Sequence, residues 1–134
     1  MKEQKPKEEV KVAEGYENVK QVFKNPVWGK VVTRFPPEPS GFLHIGHIKA
    51  IMLNYHYSRM YNGKMILRFD DTNPSKENDN FVENIKNDIK TMGIIPERVT
   101  FTSDYFDICQ NHMKTMIQKG FCYADNTEHE EMKR

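Results

Sequence analysis

A chain of 134 residues allows one domain with a real core and hardly two. At 37% hydrophobic and 29% charged, with a formal net charge of +1, it suits a soluble globular protein without a global field for nucleic acid, so any RNA contact needs a local basic patch. No apolar run reaches the length of a membrane span or a signal-peptide core, and the two cysteines, Cys109 and Cys122, form neither a disulfide framework nor a C-x-x-C pair, which suits a reducing cytoplasm.

Residues 1 to about 24 are dense in Lys and Glu and hold few apolar side chains to bury, the composition of a flexible arm or linker. The acids Glu3, Glu8, Glu9, Glu14 and Glu17 argue against an organellar transit peptide. Val31 to Phe35 is β-rich and reads as a strand. Ile48, Ile51, Met52 and Tyr55 then repeat at helical spacing, with Gly63 as the expected stop. Met65 to Phe69 is a second strand. Val82, Ile85, Ile89 and Met92 form the stripe of a second helix, which Gly93 ends. Arg98 to Phe101 is a third strand. Ser103 or Asp104 can cap a third helix with the stripe Phe106, Cys109, Met113, Met116 and Ile117, closed by Gly120. Phe121 to Ala124 reads as a fourth strand. The order βαβαβαβ implies an α/β domain with a parallel sheet and helical crossovers. Thr127 and Glu130 have capping-box spacing, so a last helix is expected to start near Glu128 and to be cut short by Arg134.

The chemistry concentrates in RFPPEPSGFLHIGH, Arg34 to His47. Pro36, Pro37 and Pro39 fix their own φ and bias their predecessors toward extended backbone, so the loop is stiff before any ligand arrives. Gly41 supplies a turn. His44 and His47, three apart, share a helix face, and Gly46 leaves backbone open to a flat base or ribose. A helix N-terminus favours phosphate, and two imidazoles there can donate hydrogen bonds as charge builds in a transition state. Asp70 follows the second strand, at the rim where open parallel sheets place ligands, and Arg34 lies on the same predicted rim. A carboxylate there suits an ammonium group, and a guanidinium suits a carboxylate.

His44-Ile45-Gly46-His47 resembles the HIGH motif of class I aminoacyl-tRNA synthetases, and PPEPSG with the later RFDDTNP resembles the glutamyl/glutaminyl branch. The resemblance runs from about Gly29 to Asn126. It implies a Rossmann-like parallel sheet, the first half of a class I synthetase catalytic domain over 29–126, preceded by the charged arm 1–28 and followed by the truncated helix start 127–134. It also implies ATP with Mg2+ as substrate, glutamate or glutamine as amino acid, tRNA as acceptor, and a two-step ligase reaction that in this branch can need bound tRNA. By resemblance Arg34, Glu38 and Asp70 would bind the amino acid, with Asp70 on its amino group. Glu38, Pro39, Ser40, His44, Ile45, Gly46, His47, Ile48, Lys49 and Ala50 would line the ATP site, with His44 and His47 catalytic. Serine at position 40, where glutaminyl enzymes typically carry asparagine, points to glutamate and to the eukaryote-type cytoplasmic enzymes.

The family's lysine-rich KMSKS-type loop is missing from these residues, so the chain alone is expected to be inactive. A scaffold or multi-synthetase partner could attach upstream, and no membrane or resident metal site is expected. Arg68 and Asp71 read as architectural, and Thr72 and Asn73 as turn formers. Cys109 with His112 has ligand-like spacing, but Cys109 lies on an apolar stripe and reads as core. His56 and Tyr57 read as surface or packing groups. Tyr105, Phe106, Phe121 and Tyr123 read as core more readily than as base-stacking groups. The rival functions are a glutaminyl enzyme, a nucleotidyltransferase outside tRNA chemistry and a non-catalytic binding fragment with an exposed sheet edge.

Overall fold

The structure, a computed structural model, describes residues 10–20, 22–75 and 78–133. The first nine residues of the expected arm, and Arg134 at the end of the expected last helix, lie outside them. The chain divides into two compact units, Met1–Thr102 and Ser103–Arg134.

In the first unit the order is β1 (Val32–Phe35), α1 (Ile45–Met60), β2 (Lys64–Phe69), α2 (Asp79–Thr91) and β3 (Arg98–Phe101). The strands form one parallel sheet in the order β1-β2-β3. Thr33 pairs with Met65 and Phe35 with Leu67, while Leu67 pairs with Val99 and Phe69 with Phe101. Parallel neighbours need a crossover, and α1 and α2 supply them, as the βαβ pattern predicts.

Alternation along the strands sorts the two faces of the sheet. Thr33, Phe35, Met65, Leu67 and Phe69 are buried, and Val32, Arg34, Ile66 and Arg68 between them are less so. The buried face meets Ile51 of α1 and Ile85 and Ile89 of α2, with Ile94 closing the cluster. Met52, Tyr55, Val82 and Met92, all expected on these stripes, pack against it. Burial of that apolar set is the main favourable term holding the unit together. Phe69 stacks on Phe101 at 5.2 Å between ring centroids, which ties β3 to β2 beyond the backbone ladder.

All three long helices stop with the same double hydrogen bond. In α2, Gly93 N–H donates to Lys90 O and Ile94 N–H to Ile89 O, with Gly93 at φ 71°. In α3 (Phe106–Gln118) the corresponding donors are Gly120, at φ 74°, and Phe121. In α1 the left-handed residue is Asn62, at φ 50°, and not the expected Gly63. Gly63 has another duty. A Cβ built there would lie 2.1 Å from the Val31 carbonyl oxygen, so only glycine lets the chain turn against the start of β1.

The second unit holds a 3-10 turn (Ser103–Tyr105), α3 and α4 (His129–Met132). Phe121 to Ala124 is not a strand, because no neighbour pairs with it in the sheet. Ser103 and Asp104 open the 3-10 turn and leave Tyr105 as the N-cap of α3. The last helix takes Glu128 as N-cap without the expected Thr127 side-chain bond, and Thr127 N–H donates instead to Asp125 Oδ1 at 2.9 Å. Phe106, Cys109, Met113, Met116 and Ile117 are exposed, as are Tyr105, Phe121 and Tyr123, so none of them is core. An apolar stripe becomes core only when another element covers it.

Candidate functional site

Two loops at the carboxyl ends of β1 and β2 build the site. After Phe35 the chain runs through the three prolines, with Pro37 and Pro39 buried and Glu38 and Ser40 exposed. Proline cannot donate, so this loop offers mainly carbonyls. Asp70 N–H donates to Pro37 O at 2.9 Å, and Asn78 N–H to Pro39 O at 3.3 Å. The proline loop is therefore stitched both to the end of β2 and to the N-cap of α2. Asn78 caps that helix through its side chain, accepting from Asn80 N–H at 2.9 Å. In the DTNP turn, Ser75 Oγ donates to Asn73 Oδ1 at 2.7 Å.

These stitches bring Arg34 and Asp70 together. A cleft of about 300 Å³ is lined by Arg34, Pro36, Arg68, Asp70 and Thr102. It lies at the carboxyl ends of the three strands, the place that open α/β sheets reserve for ligands. Its charged groups are two guanidiniums and one carboxylate. Among the described residues Arg34 and Asp70 form no ion pair. Arg68, read from sequence as architectural, shares the cleft. Thr102 was missed: its N–H and its hydroxyl both donate to Phe69 O, at 3.0 and 3.2 Å, which holds it on the rim. The strand-end rule that located Asp70 would have found Thr102 after β3.

His44 and His47 lie outside that lining and organise the start of α1. His44 is the N-cap, in extended backbone at φ −118° and ψ 175°. Its Nδ1 accepts from Gly46 N–H at 3.1 Å, and His47 Nδ1 accepts from His44 N–H at 3.2 Å. The two histidines thus form a reciprocal capping box, a role ordinarily given to Ser/Thr and Glu/Gln. Their ring centroids are 3.9 Å apart. An Nδ1 that accepts a backbone N–H carries no proton, so each neutral ring keeps its proton on Nε2 as a donor. Burial, and to a lesser degree the adjacent His44, hold His47 below its ordinary pKa and favour that neutral form.

Gly46 serves this arrangement. A Cβ there would lie 2.9 Å from His44 Cε1, so a side chain would push the ring off its cap. Gly46 itself is exposed. Ile45 and Lys49 are exposed, and Ile48 and Ala50 are half-buried. Elsewhere, His56 Nδ1 lies 3.1 Å from the Tyr16 hydroxyl and Tyr57 packs on Phe23, matching their reading as surface or packing groups. No group of three His, Cys, Asp or Glu side chains among the described residues could hold a metal ion. Among those residues no helix is long and apolar enough to cross a membrane.

Residues 30–134 match the family described as tRNA synthetases class I (E and Q), catalytic domain. The chain is 58% identical over 101 residues to a probable cytoplasmic glutamate–tRNA ligase of Dictyostelium discoideum, covering 75% of this chain and 13% of that protein. It is 49% identical over 106 residues to a glutamine–tRNA ligase of Saccharomyces cerevisiae, covering 79% of this chain and 13% of that one. In fold it is similar to the crystal structure of a glutamate tRNA ligase from Elizabethkingia meningosepticum, with TM-score 0.63 and 24% identity, over 66% of this chain and 20% of that chain. The chain therefore spans a small part of the length of these relatives.

Proposed function

This chain belongs to the class I tRNA synthetases of the glutamate and glutamine branch, and from that premise we propose that it forms the first part of the catalytic domain of a cytoplasmic glutamate–tRNA ligase. One oxygen of the glutamate α-carboxylate attacks the α-phosphorus of ATP. The bond from that phosphorus to the bridging oxygen breaks, and pyrophosphate leaves. The terminal ribose hydroxyl of tRNA then displaces AMP from the glutamyl adenylate. Magnesium arrives on the triphosphate as part of the substrate.

The observation that carries this reading is the shared cleft of Arg34 and Asp70. There the Asp70 carboxylate takes the α-ammonium, and Arg34 with Glu38 orients the rest of the amino acid. Alongside it, Glu38, Pro39, Ser40 and the stretch His44 to Ala50 bind ATP. The outward Nε2–H groups of His44 and His47 donate to phosphate oxygens, where charge grows as the bond to pyrophosphate stretches. Positioning and charge stabilisation do the work, with no covalent enzyme intermediate. Ser40 and the higher identity to a glutamate ligase support glutamate over glutamine.

Glutamate-dependent ATP–pyrophosphate exchange by the full-length protein with tRNA present tests the proposal. Exchange with glutamate is expected, and Asp70→Asn should raise the KM for glutamate by about tenfold or more, the cost of losing one charged partner. Exchange with glutamine alone would move the protein to the other branch member.

A further inference from the structure

We propose that residues 13–20 and 22–29 form a clip on the far end of α1, and that this clip positions His44 and His47 at its near end. The inference rests on the function proposed above for its consequence, though not for its geometry. It concerns a stretch before residue 30, where the family match begins.

A helix leaves its last four carbonyls without intrahelical donors. At the end of α1 the carbonyls of Ser58, Arg59 and Met60, and that of the C-cap Tyr61 just beyond, all find donors. The turn itself supplies two donors, Gly63 N–H to Ser58 O at 2.7 Å and Asn62 N–H to Arg59 O at 3.1 Å. The other two come from the preceding stretch: Ala13 N–H donates to Met60 O and Gly29 N–H to Tyr61 O, each at 2.8 Å. Met60 and Tyr61 are 1% and 0% exposed, so solvent is a poor substitute for those donors.

Side chains reinforce the backbone. Phe23 meets Tyr57 and Tyr61 edge-on, at 5.5 and 5.9 Å between centroids. The Tyr16 hydroxyl lies 3.1 Å from His56 Nδ1. The clip therefore grips His56, Tyr57, Met60 and Tyr61, which lie on the last turns of α1. A helix of 16 residues is a stiff rod of about 24 Å. Its middle is held by Ile51 in the core and by the Thr33 hydroxyl donating to Asn54 O at 2.8 Å. A shift or tilt at the clipped end is thus transmitted to the histidine end. Arg34 and Asp70 lie on β1 and just after β2, so they are not carried by that rod.

The test uses the full-length protein. In the wild type the Ala13 and Gly29 amides should exchange with solvent about tenfold or more slowly than unstructured amides. Exchange at the unstructured rate would overturn the clip outright. By equilibrium binding, Phe23→Ala should weaken ATP by about fivefold or more, because small displacements of a positioned group are costly, while leaving glutamate within about twofold. Phe23→Tyr should restore ATP binding. Equal weakening for both ligands, or no change for either, would overturn the positioning role. A wild-type protein that binds ATP but shows no glutamate-dependent exchange would remove the proposed activity, and amide exchange and ATP affinity would still decide the clip.

Discussion

His44 and His47 take positions that polar caps usually hold, and this ties stability to proton binding. Burial and the neighbouring His44 keep His47 below its ordinary value of 6.5, so the folded state binds fewer protons than the unfolded chain in the window just beneath that value. The His47 contribution is complete above pH 6.5 and is lost as pH falls through the lowered folded pKa. His47→Gln keeps an acceptor suited to the capping box without a titrating ring. Its melting midpoint should therefore decline less than the wild type's on acidification, which thermal unfolding between neutral pH and about pH 5 would measure. Gly63 makes a second case at this scale. Gly63→Ala forces a methyl group onto the Val31 carbonyl, with a backbone atom on the receiving side that cannot rotate away. The expected cost is about 2 kcal/mol or more, read as a fall in melting midpoint of about 8 °C or more.

Helices α2 and α3 are both 13 residues long and both carry a regular apolar stripe, yet their stripes have opposite fates. Ile85 and Ile89 of α2 are 1% and 2% exposed, while Ile117 of α3 is 54% exposed. Ile85→Ala should cost about 2–5 kcal/mol in a denaturant melt, since it leaves a cavity in a closed core. Ile117→Ala should stay within about 0.5 kcal/mol of wild type, as surface changes do. Periodicity identified both helices and their glycine stops correctly. It could not distinguish them further, because whether a stripe is buried depends on what lies across from it. The same limit explains Phe121 to Ala124, where β-rich residues found no strand to pair with.

For the whole molecule, the charge balance is nearly even, so solution behaviour turns on exposed apolar surface. Phe106, Ile108, Met113, Met116 and Ile117 on α3 are all exposed, together with Phe121 and Tyr123 beyond it. Apolar residues gathered in this way mark association surfaces. Sedimentation velocity of the 134-residue chain should show concentration-dependent association, and Met113→Lys with Ile117→Lys should reduce it. The same chain should give no detectable glutamyl-tRNA in a charging assay, because a site without its lysine-rich loop lacks much of its stabilisation of phosphate charge. Detectable charging would show that His44 and His47 suffice without that loop.

Local physics was legible in the residues alone: the period of each stripe, the left-handed glycine after α2 and α3 and the stiffness of a proline-rich loop. These depend on neighbours a few positions away, and so the order from β1 to α3 and the HIGH string could be read directly. Which groups meet was decided by tertiary structure. Pro37 and Asp70 are stitched across two loops, Arg34 and Asp70 share a cleft with Thr102, and the His44 ring folds over Gly46. Charged composition made residues 1–28 read as a flexible arm or linker, and within that stretch the Ala13 N–H donates to Met60 O at the end of α1. Every non-proline residue carries that same donor, so composition and periodicity leave such contacts unmarked.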